Sequence, residues 1–313
     1  MTRPRISAMD LTSAIMLLLL AVVWGGTFFF AEIALRQVPP LTIVLHRVVW
    51  AVPILVLILR RKGMAVPRSW RVWGAYLVMG ALNNALPFSL IFWGQTQIEG
   101  GLAAILNATT ALFGAVVAGL LLRDEPLTGR KLAGAGLGLL GVAFIMGPDA
   151  LTSFNPGNLA QLAVLAATLS YALAGVWGRV ALSGQPPLMN ACGMLVGSTV
   201  LMIPVALWVD GLPRLQLSLE VWAALLAMAV LSTALAYLLY FAILRRAGAA
   251  NLLLVTLLIP PVAIALGVFF LSEQMPPGAW VGFAIITAGF AVTDGRLWAG
   301  LRRGAFIRGS GGR

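Results

Sequence analysis

The sequence predicts an all-α integral membrane protein with ten transmembrane helices, arranged as two inverted five-helix repeats around a central cavity. Three observations predict this fold class. Hydrophobic residues make up 60% of the 313 residues and charged residues only 10%, whereas soluble domains carry about 25% charged residues. Apolar runs long enough to cross a bilayer recur along the whole chain. One of these runs also occurs twice, once in each half of the sequence.

The apolar segments have the length of about 20 residues that spans a hydrocarbon core. Short connections rich in proline, glycine and charge separate them and leave no room for a soluble domain. The first segment follows two arginines, but it has no small-x-small cleavage site and suits a full span, so we expect it to be retained. The predicted helices are 11–33, 41–60, 71–93, 100–122, 130–147, 158–179, 187–209, 219–243, 249–271 and 278–298.

The repeat is clearest in segments 73–92 and 222–241, which lie 149 positions apart and are identical at nine of twenty aligned positions. The same relation continues in both directions at an offset of 147 or 148. Each repeat therefore has five helices, and because five is odd the second repeat must enter the membrane from the opposite side. We predict an N-terminal repeat over 1–150 and a C-terminal repeat over 151–313 that ends in a short basic tail.

The basic residues predict the orientation, because lysine and arginine accumulate on the cytoplasmic side. With the N-terminus in the cytoplasm, 18 of the 21 basic residues fall in cytoplasmic segments. Arg36 and Arg214 fall outside, and Arg47 lies within helix 2. Both termini are therefore expected in the cytoplasm. The net charge of +11 resides in short clusters between apolar runs, which argues against nucleic acid as a partner.

Two polar pairs stand at equivalent mid-membrane positions of the repeats. Asn83 and Asn84 fall near the centre of helix 3, and their mates Ser232 and Thr233 fall near the centre of helix 8. Unpaired polar groups in a bilayer are costly, so such residues tend to line water or bind something. The pairs predict a cavity on the pseudo-twofold axis. Hydrogen bonding between helices is the alternative.

Further candidates for substrate binding are aromatic, amide or hydroxyl side chains. Trp24 and its repeat mate Tyr171 sit near the middles of helices 1 and 6, away from the interfacial belts where such rings usually lie. Each ring offers a stacking face and a hydrogen-bond donor, although packing alone is nearly as good an explanation. Ser170 adds a hydroxyl beside Tyr171. Asn107 of helix 4 and Tyr237 of helix 8 complete the predicted lining.

Four residues are predicted to have gating or structural roles. Arg47 lies about six residues into helix 2, and we favour an ion pair with Glu32 at similar depth in helix 1. The alternative is that its guanidinium holds a substrate carboxylate bidentately. Pro260 and Pro261 remove helical hydrogen bonds from helix 9 and free carbonyls near mid-depth. The freed carbonyls suit a hinge or cation coordination, and a plain kink is equally common.

The sequence lacks the motifs that are characteristic of enzymes, metalloproteins and disulfide-bonded proteins. The single cysteine, Cys192, excludes an intramolecular disulfide, and the single histidine, His46, makes a histidine-based metal site improbable. We find no HExxH, GxSxG or Walker motif and no pair of mid-membrane aspartates, so we expect no enzyme, no metal and no cofactor. A small-molecule substrate and the lipid bilayer are the expected partners, and the sequence does not specify an oligomeric state.

Several motifs lie at the centres and ends of the predicted helices: Trp24-Gly25-Gly26-Thr27-Phe28, His46-Arg47, Glu125-Pro126, Pro260-Pro261 and Glu273. With these motifs, the chain resembles the ten-helix drug/metabolite transporter superfamily with paired EamA-type units, over nearly all of residues 10–300. Within the superfamily it is most similar to bacterial inner-membrane exporters of amino acids, especially the aromatic ones. One departure is Leu112-Phe113 of helix 4, which stands opposite the two prolines, so the bend of helix 4 is expected to differ.

The resemblance implies export of amino acids, aromatic and other neutral ones, and of related metabolites across the bacterial inner membrane by alternating access. The residues themselves narrow the substrate class. No acid stands at mid-membrane, since the acids nearest to the spans fall at helix ends or in loops: Glu32, Glu99, Asp149, Asp210 and Glu273. A neutral, aromatic cavity suits zwitterions or uncharged metabolites. Efflux of other metabolites or lipophilic drugs is the alternative, and the coupling ion stays open.

Overall fold

The computed structural model describes residues 10–123, 126–146, 156–252 and 254–294, and these ranges fold into helices without a strand. Two acids singled out in the sequence, Glu125 and Asp149, lie outside the described residues. Wherever they are described, the helices begin and end within four residues of the predicted bounds. They are α1 Leu11–Leu35, α2 Pro40–Arg61, α3 Trp70–Gly94, α4 Gly100–Leu121, α5 Gly129–Met146, α6 Pro156–Ala181, α7 Pro187–Val209, α8 Leu219–Ala247, α9 Ala249–Leu252 with Val255–Leu271, and α10 Pro277–Asp294.

The helices have the dimensions of a membrane protein. Seven of those described, α1 to α4 and α6 to α8, are long and apolar enough to cross a bilayer by length and composition. Two shorter apolar helices, Val255–Leu271 and Pro277–Thr293, accompany them. The predicted class, an all-helical integral membrane protein, is confirmed. The count of ten spans and their inverted arrangement stay predictions.

Two helices contain a π-helical turn at the same place in the repeat. In α3 the turn is Ala81–Ala85, and in α8 it is Val230–Leu235, which begins 149 positions later. A π-turn inserts one residue into the helix and redirects the side chains beyond it, and such turns are frequent at functional sites. The predicted polar pairs lie within these turns, so the polar pairs and the local distortion of the helix coincide.

α4 and α9 are interrupted, but not where proline would interrupt them. α4 consists of Gly100–Asn107 and Thr110–Leu121, and α9 is interrupted immediately before the segment Val255–Leu266. Pro260 and Pro261 lie inside that continuous segment. The helix continues across both prolines, and their role as a hinge, a cation site or a plain kink stays a prediction. α4 is interrupted although it has no proline.

Helices of the two halves alternate in the bundle. α1 packs against α8 and α9, and correspondingly α6 packs against α3 and α4. α3 packs against α7 as α8 packs against α2, while α5 pairs with α10 and α2 with α7. Each of these contacts has a counterpart in which every helix is replaced by the helix five places along. The arrangement brings the π-turns of α3 and α8 to the centre, each against helices of the other half.

Candidate functional site

The π-turn of α3 is held by a network of neutral hydrogen bonds. Asn84 is fully buried, donates from Nδ2 to Ser198 Oγ of α7 at 2.9 Å and accepts at Oδ1 from the Tyr237 hydroxyl of α8 at 3.0 Å. Asn83 is only partly buried; its Nδ2 donates to the Tyr237 oxygen at 3.3 Å and lies 3.6 Å from Met194 Sδ. The network joins α3 to two helices of the other half.

The π-turn of α8 bonds helices α1 and α2 instead. Ser232 donates from Oγ to the Val23 carbonyl of α1 at 2.6 Å. Thr233 donates to the Met228 carbonyl five residues earlier at 2.9 Å, a partner that the π-turn brings within reach. Its oxygen also accepts from Nε of Arg47 at 3.0 Å. The hydroxyls of the second pair are thus engaged by the protein, and their contact with a substrate stays a prediction.

Arg47 is almost completely buried, with 5% of its surface accessible. Besides Thr233, its guanidinium donates from Nη2 to the Ser232 carbonyl at 3.3 Å. Its Cζ lies 3.8 Å from the centre of the Phe88 ring and 5.9 Å from that of Phe92, which is the geometry of a cation–π contact. The cation is therefore held by an aromatic face and neutral oxygens.

The favoured ion pair between Arg47 and Glu32 is wrong. Glu32 instead accepts at Oε1 from Gln95 Nε2 at 3.1 Å, and the same amide nitrogen donates to the Phe28 carbonyl at 3.0 Å. The estimate from the sequence placed the two charged groups at similar depth but could not fix the direction in which each helix face points. Arg47 points to α8 of the other half, whereas Glu32 points to the end of α3.

The aromatic candidates lie on both halves of the site. Trp24 is partly buried, and its ring centre lies 5.9 Å from that of Tyr240 of α8. Ser170 donates from Oγ to the Leu82 carbonyl in the π-turn of α3 at 2.7 Å, which fixes α6 against that turn. Tyr171 is partly buried, and its hydroxyl bonds no described residue. Of these residues, Trp24 and Tyr171 retain polar groups that are free to meet a ligand.

Asn107 ends the first segment of α4, directly before its interruption. Its Oδ1 is sealed from solvent and has no hydrogen-bond partner among the described residues. Its backbone carbonyl accepts from Thr110 Oγ1 at 2.7 Å, and Thr109 Oγ1 lies 3.4 Å from that of Thr168 in α6. An unsatisfied buried amide oxygen costs about 1–3 kcal/mol. Such an atom calls for an explanation, and a donor from a ligand is one.

Three residues with clear roles were not predicted as site residues. Ser198 and Met194 of α7 contact the asparagine pair, and Phe88 covers the guanidinium. For two of them, the alignment of the repeats could have indicated a role, because they align with residues that were predicted to lie in the site. Phe88 is the mate of Tyr237 at an offset of 149, and Met194 is the mate of Arg47 at an offset of 147.

One end of the bundle is closed by bonds between the halves, and we call it the Glu273 end. The carboxylate of Glu273 accepts from the backbone amides of Gly100 and Gly101, both at 3.1 Å, at the N-terminus of α4. Burial raises the pKa of Glu273, against the lowering effect of the two amides, and the nearby Glu99 raises it further. A helix N-terminus favours the charged form, so burial and the neighbouring carboxylate outweigh it here.

The same end carries other contacts between the halves. Asp210 Oδ2 accepts from the amide of Thr42 at 2.7 Å and from its hydroxyl at 2.9 Å. An exposed ion pair joins Arg36 to Glu220 at 3.1 Å. Two cavities of about 580 and 400 Å³ open at this end, one beside Asp210 and one beside Glu273. A central cavity stays a prediction.

The opposite end, which we call the Arg246 end, has its own contacts between the halves. Arg246 pairs with Asp10 at 2.9 Å, and both side chains are substantially exposed. Trp177 of α6 donates from Nε1 to the Ala75 carbonyl of α3 at 3.0 Å. Exposed ion pairs contribute about 1 kcal/mol or less, so the pair of Arg246 with Asp10 adds little to the closure of this end.

The family model described as the EamA-like transporter family matches residues 11–147 and again residues 158–293. The chain belongs to this family. The resemblance to the drug/metabolite transporter superfamily is thereby confirmed, and the protein is a multi-pass membrane transporter. As an EamA-like transporter, it is similar over nearly its whole length to curated proteins of that kind.

Two such relatives have informative names. The probable amino-acid metabolite efflux pump of Escherichia coli (strain K12) is 24% identical over 295 residues, which are 91% of this chain and 95% of the relative. The probable terminal-alkyne amino-acid exporter of Streptantibioticus cattleyicolor is 25% identical over 299 residues, which are 95% and 98% of the two chains. Among the solved structures that match is a crystal structure with a TM-score of 0.63 at 17% identity, over 90% of this chain and 97% of that chain. At this identity the match shows a shared fold.

Proposed function

We propose that this protein is a secondary transporter that exports amino acids, aromatic and other neutral ones, and related small metabolites across the bacterial inner membrane. The observation that carries the proposal is the pair of π-turns at equivalent places in the two repeats, each with a polar pair at the centre of the bundle. A structural bundle has no need of distorted polar helices at mid-depth, whereas alternating access around a central site does. The relatives named as amino-acid exporters favour that substrate class.

The inverted topology forms part of the proposal. Its support is the contact pattern, in which each pairing of helices has a counterpart related by five positions. The distribution of lysine and arginine supports cytoplasmic termini, and with this orientation the Glu273 end would lie on the outer face. In this orientation, the described contacts between the halves hold the outer side closed, with Glu273 bonding α4 and Asp210 bonding α2.

Within the site, the candidates divide by how far their side chains are buried. Trp24, Asn83, Tyr171, Tyr237 and Asn107 are partly exposed, and we assign them to the substrate. A second group is buried and bonds neighbouring helices, so its members fix the geometry of the first group. The members of this second group are Asn84, Ser170, Ser232 and Thr233.

The transport cycle follows from rocking of the two halves about the centre. Opening the outer face requires breaking the bonds of Glu273 to the amides of α4, together with those of Asp210 to Thr42. Glu32 and the two prolines of α9 keep their assigned gating or structural roles, with Glu32 bonded to Gln95 beside that closure. Export down a metabolite gradient needs no coupling ion.

The decisive experiment is flux of a panel of amino acids through the purified protein in proteoliposomes, with and without an imposed pH gradient. We expect neutral amino acids to be transported, and a Trp24→Ala variant to lose most of that flux. The matched control is Trp208→Ala, since that tryptophan is 88% exposed on the bundle surface. Transport of lipophilic drugs with no amino-acid flux would replace this proposal by the alternative, and equal flux in both tryptophan variants would refute the site assignment.

A further inference from the structure

Arg47 is a buried cation without a carboxylate partner. The described ion pairs join Arg36 to Glu220 and Arg246 to Asp10, so none of the described carboxylates neutralises Arg47. A charged side chain at membrane depth is expensive, and such residues usually pair with one another or mark a substrate pathway. The Phe88 ring and two neutral oxygens offset only part of the free energy lost when the guanidinium leaves water. An anionic group of a ligand would offset more of it.

The guanidinium is oriented with one edge occupied and the other open. Nε and one N–H of Nη2 are engaged by Thr233 and Ser232 of α8, and Phe88 covers one face. Among the described residues, Nη1 has no hydrogen-bond partner, yet it is not sealed from solvent. Nη1 and the second N–H of Nη2 together form the end-on fork that binds a carboxylate with two parallel hydrogen bonds.

The cation stands on one side of the pseudo-twofold axis only. The position equivalent to Arg47 in the second repeat is Met194, which lies against Asn83 and carries no charge. A two-sided site with a single cation suits a molecule with one anionic group. The other side offers amide and hydroxyl groups, which suit the neutral or ammonium part of a zwitterion.

We propose that the Nη1–Nη2 edge of Arg47 binds the carboxylate of the transported substrate, so that the transporter selects molecules with a free carboxylate over their amides and over lipophilic cations. The inference rests on the proposed function and adds the group of the substrate that is recognised. The π-turn of α8 then acts as a positioning element, because its oxygens hold the guanidinium at a fixed angle.

The test compares acid and amide in proteoliposomes. Unlabelled phenylalanine and phenylalaninamide compete with flux of labelled phenylalanine in wild type, Arg47→Met and Arg47→Lys, with Trp208→Ala on the exposed bundle surface as the control. We expect wild type and the control to prefer the acid by at least about tenfold, and Arg47→Met to reduce this preference to within about threefold. Methionine replaces the buried guanidinium with a flexible apolar chain and removes the cost of a buried charge.

Arg47→Lys keeps the charge but loses the fork, so its preference should fall between those of wild type and the methionine variant. A wild type that does not distinguish acid from amide, or an Arg47→Met variant that still does, would overturn the inference while the exporter proposal stands. A lysine variant as selective as wild type would refute the bidentate geometry.

A second measurement separates this inference from the proposed function. If wild type moves no amino acid at all, the exporter proposal is lost, and thermal stabilisation of the purified protein decides the role of Arg47. Phenylacetate should then raise the melting temperature of wild type more than phenylacetamide does, and Arg47→Met should remove the difference. Equal shifts for both compounds in wild type would reject Arg47 as a carboxylate site.

Discussion

The π-turns of α3 and α8 hold equivalent places in the two repeats, but their polar groups meet different partners. Asn84 in the first turn belongs to a closed network of neutral groups that includes the Tyr237 hydroxyl. Thr233 in the second turn accepts a hydrogen bond from Arg47, a cation. The position equivalent to Arg47 carries Met194. The backbone distortion is shared, whereas the chemistry is not.

The shared π-turns correspond to what both halves need in order to move, whereas the single cation corresponds to what binding of the substrate needs. Both halves have to move in an alternating-access cycle, so each needs a helix whose hydrogen-bond ladder is already loosened. Recognition has to fit one asymmetric molecule, and only one side of the site needs the charge. We therefore expect substitutions in the two turns to produce different kinds of defect.

The largest expected effect comes from the neutral network, which we expect to act mainly on stability. Asn84→Leu leaves the Tyr237 hydroxyl without its acceptor and removes the donor to Ser198, and each buried unsatisfied group costs about 1–3 kcal/mol. The melting temperature of the purified protein should fall by several degrees. Asn83→Leu is the matched control, because Asn83 is partly exposed and its contacts are longer. It should melt near the wild-type temperature yet lose transport.

If Asn83→Leu lowered the melting temperature as much as Asn84→Leu, the assignment of Asn84 to stability and of Asn83 to substrate binding would be wrong. If instead Asn84→Leu melted like wild type, the network would be incidental to stability. Circular dichroism or dye-based melting in detergent distinguishes these outcomes, since the two variants make the same chemical change at neighbouring positions.

The next effect concerns the charged side of the comparison. Thr233→Val keeps the size of the side chain and removes the oxygen that accepts from Arg47 Nε, a hydrogen bond to a charged group worth about 1.5–3 kcal/mol. We expect the concentration of amino acid that gives half-maximal flux to rise by about tenfold. Thr233→Ser retains the hydroxyl and should transport like wild type. Equal impairment of both variants would show that the methyl group, not the hydrogen bond, matters.

Much of this scaffold follows from the sequence for physical reasons. Lipid requires every backbone group to bond within its own helix, so long apolar runs are enough to place the described helices. The repeat alignment set the asparagine pair opposite Ser232 and Thr233, and the two π-turns occur there. The turns themselves were not predictable, because no residue type is specific for a π-turn.

The partner of Arg47 shows where sequence reasoning fails. The rise of 1.5 Å per residue gives the depth of a side chain but not its direction around the helix. Glu32 was therefore a reasonable partner by depth, yet it faces Gln95 and the cation faces α8. The interruption of α4 was also not predicted, for a different reason. It occurs at Ala108 and Thr109 without proline or glycine, where the hydroxyls of Thr109 and Thr110 bond the Leu106 and Asn107 carbonyls. Such threonine bonds also occur in unbroken helices, so the sequence does not reveal the break.

The smallest expected effect concerns Glu273, at the end of the bundle where the two halves are joined by hydrogen bonds. At the Glu273 end, a carboxylate of the second half bonds the amides of Gly100 and Gly101 in the first. The carboxylates of Glu99 and Glu32 also lie close enough to interact with it. Its pKa is raised above the ordinary value of 4.5 in this closed arrangement, chiefly by burial. Opening that end would expose Glu273 to water and return its pKa to that value.

The sign follows from linkage, since the state with the higher pKa binds the proton more tightly. Protonation of Glu273 therefore stabilises the closed Glu273 end, fully at pH below the ordinary value, and this stabilisation is lost as pH rises through the raised pKa. The labelling rate of Ile264→Cys, a buried residue beneath this end, is measured in a Cys192→Ser background. Relative to the rate of the exposed Leu212→Cys, it should slow as the pH falls through the raised pKa of Glu273. Glu273→Gln should abolish the pH dependence. Labelling that instead speeds up in acid, or an unchanged slope in the glutamine variant, would show that another carboxylate controls this end.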